Sequence, residues 1–530
     1  MAKAHTFAFV FPMASGHINP SLGVARCLVE RGHSVHYMCR PQMQAAIDDT
    51  GAKFHSEIDV QPELYVGREP DMIGAIASLQ NEYGLTSQGY VRGRILLKEI
   101  MSEMMLPGTL RWLQEIGADV VVCDPLISLE ASLAAQLAGL PCASILTIAG
   151  PGAGQPAWQN ILDAAGLTVE QMLEQRRQFQ PLRECLQRLN ARGLPLGLGD
   201  TLKPLGLLPA ISLSQLTIVT TCEFLADPYP ADMREAYDGA GANFAFVGPL
   251  LDKPGAKRAA GHRFDASLHK DNEHTASSEQ DPVELVRDAR KAGRKVVLAS
   301  LGTMVTGDNN ELGWRARPVV EGEPRGLTGK ELCQAAWAGV FDAFGSDSSA
   351  APLILVALGP QPDALDEMTA PPNAFCAPAL PQVDVLRAGV DVFLQHGGQN
   401  SFMEALSTSV PMVVCPGFGD QIENAAKAES LGVGLKVDRP MGPVDKAASQ
   451  AAAYREAAAA SLRKVLSEPS SYKDRALECA RKLEAAGGVP RATELLLKLT
   501  EDKAPKAEEG KGQFPEAVAN HAASVAAAGA

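Results

Sequence analysis

Short aliphatic runs alternate with amphipathic stretches along the first 150 residues, and a glycine closes most of the latter. Residues 6–11, 34–39, 52–58, 119–123 and 142–147 have the length and β-branched content of strands. Residues 20–31, 41–50, 106–116 and 127–137 repeat their apolar positions at helical spacing, with Gly32, Gly51, Gly117 and Gly139 following. Strand, helix, glycine stop and strand predict right-handed crossovers around a parallel sheet. Residues 160–200 are helical and charged, and 216–221 and 243–247 read as two more strands. From 250 to 285 Lys, His, Asp, Ser and Gly replace the aliphatics without periodicity, as in a linker.

A second series follows. Strands are expected at 295–301, 353–358, 390–395, 412–415 and 434–437, with helices at 331–344, 401–406 and 422–431. Residues 306–328, rich in Gly, Pro and charge, interrupt it and read as an inserted surface loop. Alanine-rich helices are expected over 447–500, and a disordered tail over 501–530. The expected architecture is α/β: two Rossmann-like parallel-sheet domains facing a cleft, at 1–250 and 291–500, joined by a polar linker at 251–290. Ligands bind such sheets at the carboxyl ends of their strands.

Composition narrows the partners. The 530 residues carry 48 basic and 62 acidic side chains, a net charge of −14. That balance opposes nucleic acid and anionic membrane surfaces as main partners. Apolar residues reach 46% but aromatics only 5%, so the cores must be largely aliphatic. No two of the ten cysteines are closer than twelve residues, which leaves no CxxC pair and favours buried free thiols. The N-terminus has no signal-peptide pattern and no 18-residue apolar run occurs, so the chain reads as cytoplasmic and reduced.

The chemistry concentrates in 393–424, FLQHGGQNSFMEALSTSVPMVVCPGFGDQIEN. An aliphatic strand runs into His396-Gly397-Gly398, and Asn400 and Ser401 stand where a helix begins. Glu404 lies three residues after Ser401, as a capping-box partner would. A glycine turn opening a helix offers free N–H groups and the positive end of the helix dipole to a phosphate. The same residues also describe a well-capped strand–helix unit with a satisfied histidine, and neither GxxxxGK[ST] nor GxGxxG occurs here. Near the N-terminus, Ala14-Ser15-Gly16-His17-Ile18-Asn19-Pro20 puts His17 on a loop after the first strand, with Pro20 near the first helical turn. A lone histidine in that place is more often structural than catalytic.

The wider pattern around the glycine turn decides between these readings. Pro381-Gln382, His396, Gly398, Asn400-Ser401, Glu404, Val410-Pro411, Pro416, Asp420-Gln421 and Asn424 resemble the donor-binding signature of the family 1 nucleotide-sugar-dependent glycosyltransferases. That group includes plant secondary-product, animal drug-conjugating and bacterial macrolide enzymes. Val247-Gly248-Pro249-Leu250 and Ser300-Leu301-Gly302-Thr303 are similar to two further family segments. The resemblance spans roughly residues 5–150 and 215–500, and is weakest at 60–105 and 150–210, the family's variable acceptor region.

The resemblance implies a GT-B fold, with an acceptor-binding N-terminal and a donor-binding C-terminal domain. It implies an inverting, metal-independent UDP-glycosyltransferase that moves a sugar, glucose, to a hydroxyl of a small lipophilic acceptor. Leu380 and Gln382 would lie along base and ribose, and Glu404 would hold the ribose hydroxyls. Thr303, His396, Asn400 and Ser401 would meet the diphosphate beside Gly398, while Asp420 and Gln421 would grip the sugar. His17 matches the family's general base, and Asp124, ending another strand of the sheet, its carboxylate partner. Asp119 precedes that strand and would lie at the wrong edge. No metal or resident cofactor is implied, and the partners are a UDP-sugar and the acceptor.

Three positions depart from the plant pattern: Ala379 and Gln399 replace tryptophans, and Ser409 replaces a glycine. Ala379 would sit against the base, which leaves uracil and thymine both open. Two rivals are a catalytically silent sugar-nucleotide-binding protein on the same scaffold and a nicotinamide oxidoreductase. The second is disfavoured because PMASGH, not GxGxxG, follows the first strand.

Overall fold

The computed structural model describes residues 3–501, apart from 72, 165, 195, 198–202, 260–279, 308–312, 321–322 and 468. Seven parallel strands form the first sheet: β1 (Thr6–Val10), β2 (Ser34–Cys39), β3 (Lys53–Ser56), β4 (Val120–Cys123), β5 (Cys142–Leu146), β6 (Leu216–Val219) and β7 (Phe244–Phe246). Their order is β3-β2-β1-β4-β5-β6-β7. Helices cover both faces, which is why β4 is an unbroken buried VVVC run. In β1, Phe7 and Phe9 enter one apolar layer while Ala8 and Val10 enter the other.

The second half repeats the design. It contains β8 (Val296–Ser300), a short antiparallel pair β9 (Val319–Val320) and β10 (Glu323–Pro324), then β11 (Leu353–Ala357), β12 (Ala374–Ala377), β13 (Val392–Gln395), β14 (Met412–Val414) and β15 (Gly434–Lys436). The six-stranded parallel sheet runs β12-β11-β8-β13-β14-β15. Both sheets therefore reverse direction of growth once, between β1 and β4 and between β8 and β13. A crevice opens there because the flanking loops leave toward opposite faces. Among the described residues no helix is long and apolar enough to cross a membrane. All ten cysteines are free and nine are buried.

Several expectations need correction. The first helix spans Ser15–Glu30, so His17 lies in a helical turn and not on a loop, and Pro20 is inside the helix. Proline has no N–H to return to the Gly16 carbonyl. That carbonyl instead accepts from Asn400 Nδ2 at 2.8 Å, a bond between the two halves. The segment 306–328 is more than a surface loop. Trp314 and Leu327 are fully buried in the second core, and Trp314 Nε1 donates to Asp363 Oδ1 at 2.8 Å. Of the polar linker, 260–279 lies outside the described residues, and Pro282–Lys291 forms a helix that buries Val286 and Ala289. The C-terminal helices are Ala447–Ser467, Pro469–Ala485 and Gly488–Glu501, and the last turns back to bury Ala492 and Leu496 beside Leu22 and Ala25 of the first half. Nearly all of the tail, 502–530, lies outside the described residues.

The backbone at Ser409 accounts for the glycine usual at this position, and nothing in the structure explains the serine. It follows the helix Gln399–Ser407 with φ of 56°, a left-handed conformation that a Cβ penalises. Replacing Ser409 with glycine should stabilise the protein by about 0.5–1 kcal/mol, read as a higher thermal midpoint. An unchanged or lower midpoint contradicts the strain.

Candidate active site

A cavity of about 1440 Å³ lies between the halves, lined from both sheets' reversal points. Residues His17, Thr303, Leu380, Gln382, His396, Gly398, Asn400, Ser401, Glu404, Asp420 and Gln421 all face it. Asp124 does not; it is fully buried behind His17.

His17 follows β1 and Asp124 follows β4, neighbouring strands with Val10 opposite Cys123. This register brings His17 Nδ1 to 2.7 Å from Asp124 Oδ2. The second carboxylate oxygen accepts the Leu126 and Ile127 N–H groups, each at 2.9 Å, which locks the carboxylate plane. Burial pushes the His17 pKa down, but the charge of Asp124 and its hydrogen bond more than reverse this, so the net shift is upward. With Nδ1–H given to Asp124, the lone pair of neutral His17 is on Nε2.

On the donor side, His396 ends β13 beside the loop that follows β8. A Cβ on Gly302 would come within 2.5 Å of His396 Nε2, and one on Gly398 within 2.4 Å. Two glycines thus make room for the ring. Burial lowers the His396 pKa to about 4, so it is neutral near pH 7. The helix Gln399–Ser407 starts at Gly398 with no side-chain cap on its first turn. The expected capping box of Ser401 with Glu404 is absent, because the helix starts two residues before Ser401 with Gly398 at its cap; Gln382 Nε2 instead donates to Ser401 Oγ at 3.0 Å and to Glu404 Oε2 at 2.6 Å. The other Glu404 oxygen accepts from Arg258 Nη2 at 2.6 Å.

Asp420 opens the helix Asp420–Ser430 at the foot of the cavity. Burial, with Asp227 adding to it, raises its pKa to about 6, although His17 across the cleft opposes the shift. Gln421 Oε1 accepts the Gly417 N–H at 2.8 Å, fixing the turn before the helix. Asn424 Nδ2 reaches the Gly397 carbonyl at 2.8 Å and so ties this helix to the glycine turn. Sequence reasoning missed Arg258 and Arg94 among the cavity residues. Arg258 stood in a stretch readable only as polar linker, and Arg94 in the variable region where no motif applies.

Residues 343–481, which contain the glycine turn and the Asp420-Gln421 pair, match the family model described as UDP-glucoronosyl and UDP-glucosyl transferase. The chain is 24% identical over 439 residues to the NDP-glycosyltransferase YjiC of Bacillus subtilis (strain 168), covering 82% of this chain and 85% of that one. These matches support a family 1 glycosyltransferase. A second relative, the uncharacterized UDP-glucosyltransferase YdhE of the same organism, is 24% identical over 81% of this chain and 84% of its own. The glycotransferase of kitacinnamycin superposes with a TM-score of 0.58 at 23% identity, over 94% of this glycosyltransferase and 100% of that chain. CalG4, the calicheamicin glycosyltransferase, gives 0.58 at 20% identity over 95% and 100%. The two facing parallel sheets are the GT-B fold of such enzymes.

Proposed function

We propose that this glycosyltransferase moves glucose from UDP-glucose to a hydroxyl of a small lipophilic acceptor, with inversion, and with His17 as general base. The observation that carries this reading is the His17–Asp124 pair opening onto the cavity that also holds the donor motif. An alcohol or phenol is a weak nucleophile until its proton is removed. His17 Nε2 takes that proton as the oxygen attacks the anomeric carbon, and Asp124 holds the ring and stabilises the imidazolium. The bond from carbon to the diphosphate oxygen breaks, and the electron pair leaves with UDP. Its growing charge would be met by the uncapped N–H groups of the helix Gln399–Ser407, with Thr303, His396, Asn400 and Ser401 as further donors. We assign the ribose hydroxyls to Glu404, the base to Leu380 and Gln382, and the sugar to Asp420 and Gln421. The reaction then needs no metal ion.

One observation favours a second donor. Ala379 leaves the base without a stacking ring, and the spinosyn rhamnosyltransferase SpnG, similar in fold with a TM-score of 0.54 at 16% identity, was solved with thymidine diphosphate. The test offers UDP-glucose and dTDP-glucose with a phenolic acceptor, with product mass and anomeric proton coupling as readouts. The expected product is the β-glucoside, formed faster from UDP-glucose and unaffected by a chelator. An α-glucoside would exclude single in-line displacement, and nucleotide binding without any transfer would leave a silent binding protein.

A further inference from the structure

Arg94 lies in the second turn of the helix Tyr90–Glu115 and lines the cavity on the His17 side. The wall from this half is largely apolar, with Ile73, Leu126, Ile148, Trp158 and Ile161 beside the polar Tyr90 and Thr147. Among the described residues that the first half contributes to this wall, Arg94 is the only one with a fixed charge. Its one side-chain hydrogen bond within them runs from Nη2 to the Leu126 carbonyl at 3.1 Å.

Asp124, the carboxylate whose charge acts on Arg94, is already engaged elsewhere. It gives one oxygen to His17 and the other to two backbone N–H groups. Lys98, one helical turn on, points to a small space behind the wall that Arg94 also borders, and Glu99 is committed to a buried pair with Arg176 at 2.8 Å. Arg94 is partly exposed to the cavity, so the guanidinium donors that the Leu126 carbonyl does not take are open to a ligand there. Arginine offers an anion a flat two-pronged donor, which suits a carboxylate.

We propose that Arg94 anchors the acceptor, and that the acceptor is an amphipathic hydroxy acid. Its apolar body lies on Ile73, Leu126, Trp158 and Ile161, its carboxylate on Arg94, and its hydroxyl toward His17. This rests on the reading above that the His17 side of the cavity holds the acceptor.

The test is calorimetric titration of the UDP-bound enzyme with 4-hydroxycinnamic acid and with its methyl ester, for wild type, Arg94→Gln and Arg94→Lys. Wild type should bind the acid roughly ten- to a hundredfold more tightly than the ester, the range of a charged hydrogen-bonded pair. In Arg94→Gln the ratio should fall to about one, and Arg94→Lys should restore part of it. Equal binding of acid and ester by wild type overturns the proposal. So does Arg94→Gln weakening both ligands alike, which would mean that the guanidinium only positions the Leu126 loop. Because binding is read without turnover, failure of the glycosyltransfer reading is separable: the acid would bind selectively yet no glucoside would form from either donor.

Discussion

Replacing His17 with alanine lowers the rate of sugar transfer by about a thousandfold, the middle of the range for a positioned general base, and leaves the dissociation constant of the nucleotide sugar within a few-fold of wild type. The separation is expected because His17 comes from the first sheet's half of the cavity, while the proposed donor motif is carried on the other sheet. Single-turnover rates and donor titration measure the two quantities independently. A mutant with near-normal transfer would remove His17 from the chemistry. The pH dependence supplies a second check. The reactive form is neutral, and the His17 pKa stands above its usual 6.5 because Asp124 outweighs burial. Activity should therefore fall as pH drops through a midpoint above 6.5. In Asp124→Asn the two largest raising causes vanish, while burial and the charge of Arg94 are opposed only by the smaller effect of Asp420, so the midpoint should move below 6.5 while the plateau rate drops. A midpoint that stays in place would mean that another group titrates.

Glu404→Ala should weaken nucleotide-sugar binding by roughly a hundredfold, about 3 kcal/mol. The carboxylate is almost fully buried and held by two donors, Arg258 Nη2 and Gln382 Nε2, each at 2.6 Å. Truncation removes both acceptor oxygens proposed for the ribose diol. It also leaves a guanidinium and an amide without their partner, which is the larger part of such losses. Glu404→Gln keeps the volume and one acceptor, so its effect should be intermediate. Titration with UDP alone isolates the nucleotide from the sugar, and an affinity for UDP within twofold of wild type in Glu404→Ala would take this residue out of the ribose site.

Where local pattern and three-dimensional packing disagree, the reasons are specific. Pro20 resembled a helix start because proline is favoured at the first helical position. The helix begins five residues earlier, since Asn400 from the other half satisfies the carbonyl that proline strands. Ser401 and Glu404 have capping-box spacing, yet both turn to Gln382, nineteen and twenty-two residues away. The Gly- and Pro-rich insert looked solvent-borne because its composition is that of a loop, but one tryptophan anchors it in the core beside Trp337.

The alternation of aliphatic strands and amphipathic helices determined two parallel α/β halves, because those periodicities are local and each half buries its own apolar layers. The residues of 378–424 likewise carried the family resemblance from which the donor side is proposed. Tertiary structure decided the rest. The pairing of β1 with β4 set His17 against Asp124 across 107 residues. Closure of the two halves brought that pair, Arg94 and the donor motif around one cavity and laid Arg258 on Glu404. Such contacts join residues far apart in the chain, and no periodicity or motif spacing records them. They follow from strand register and interdomain packing, which exist only once both cores have formed.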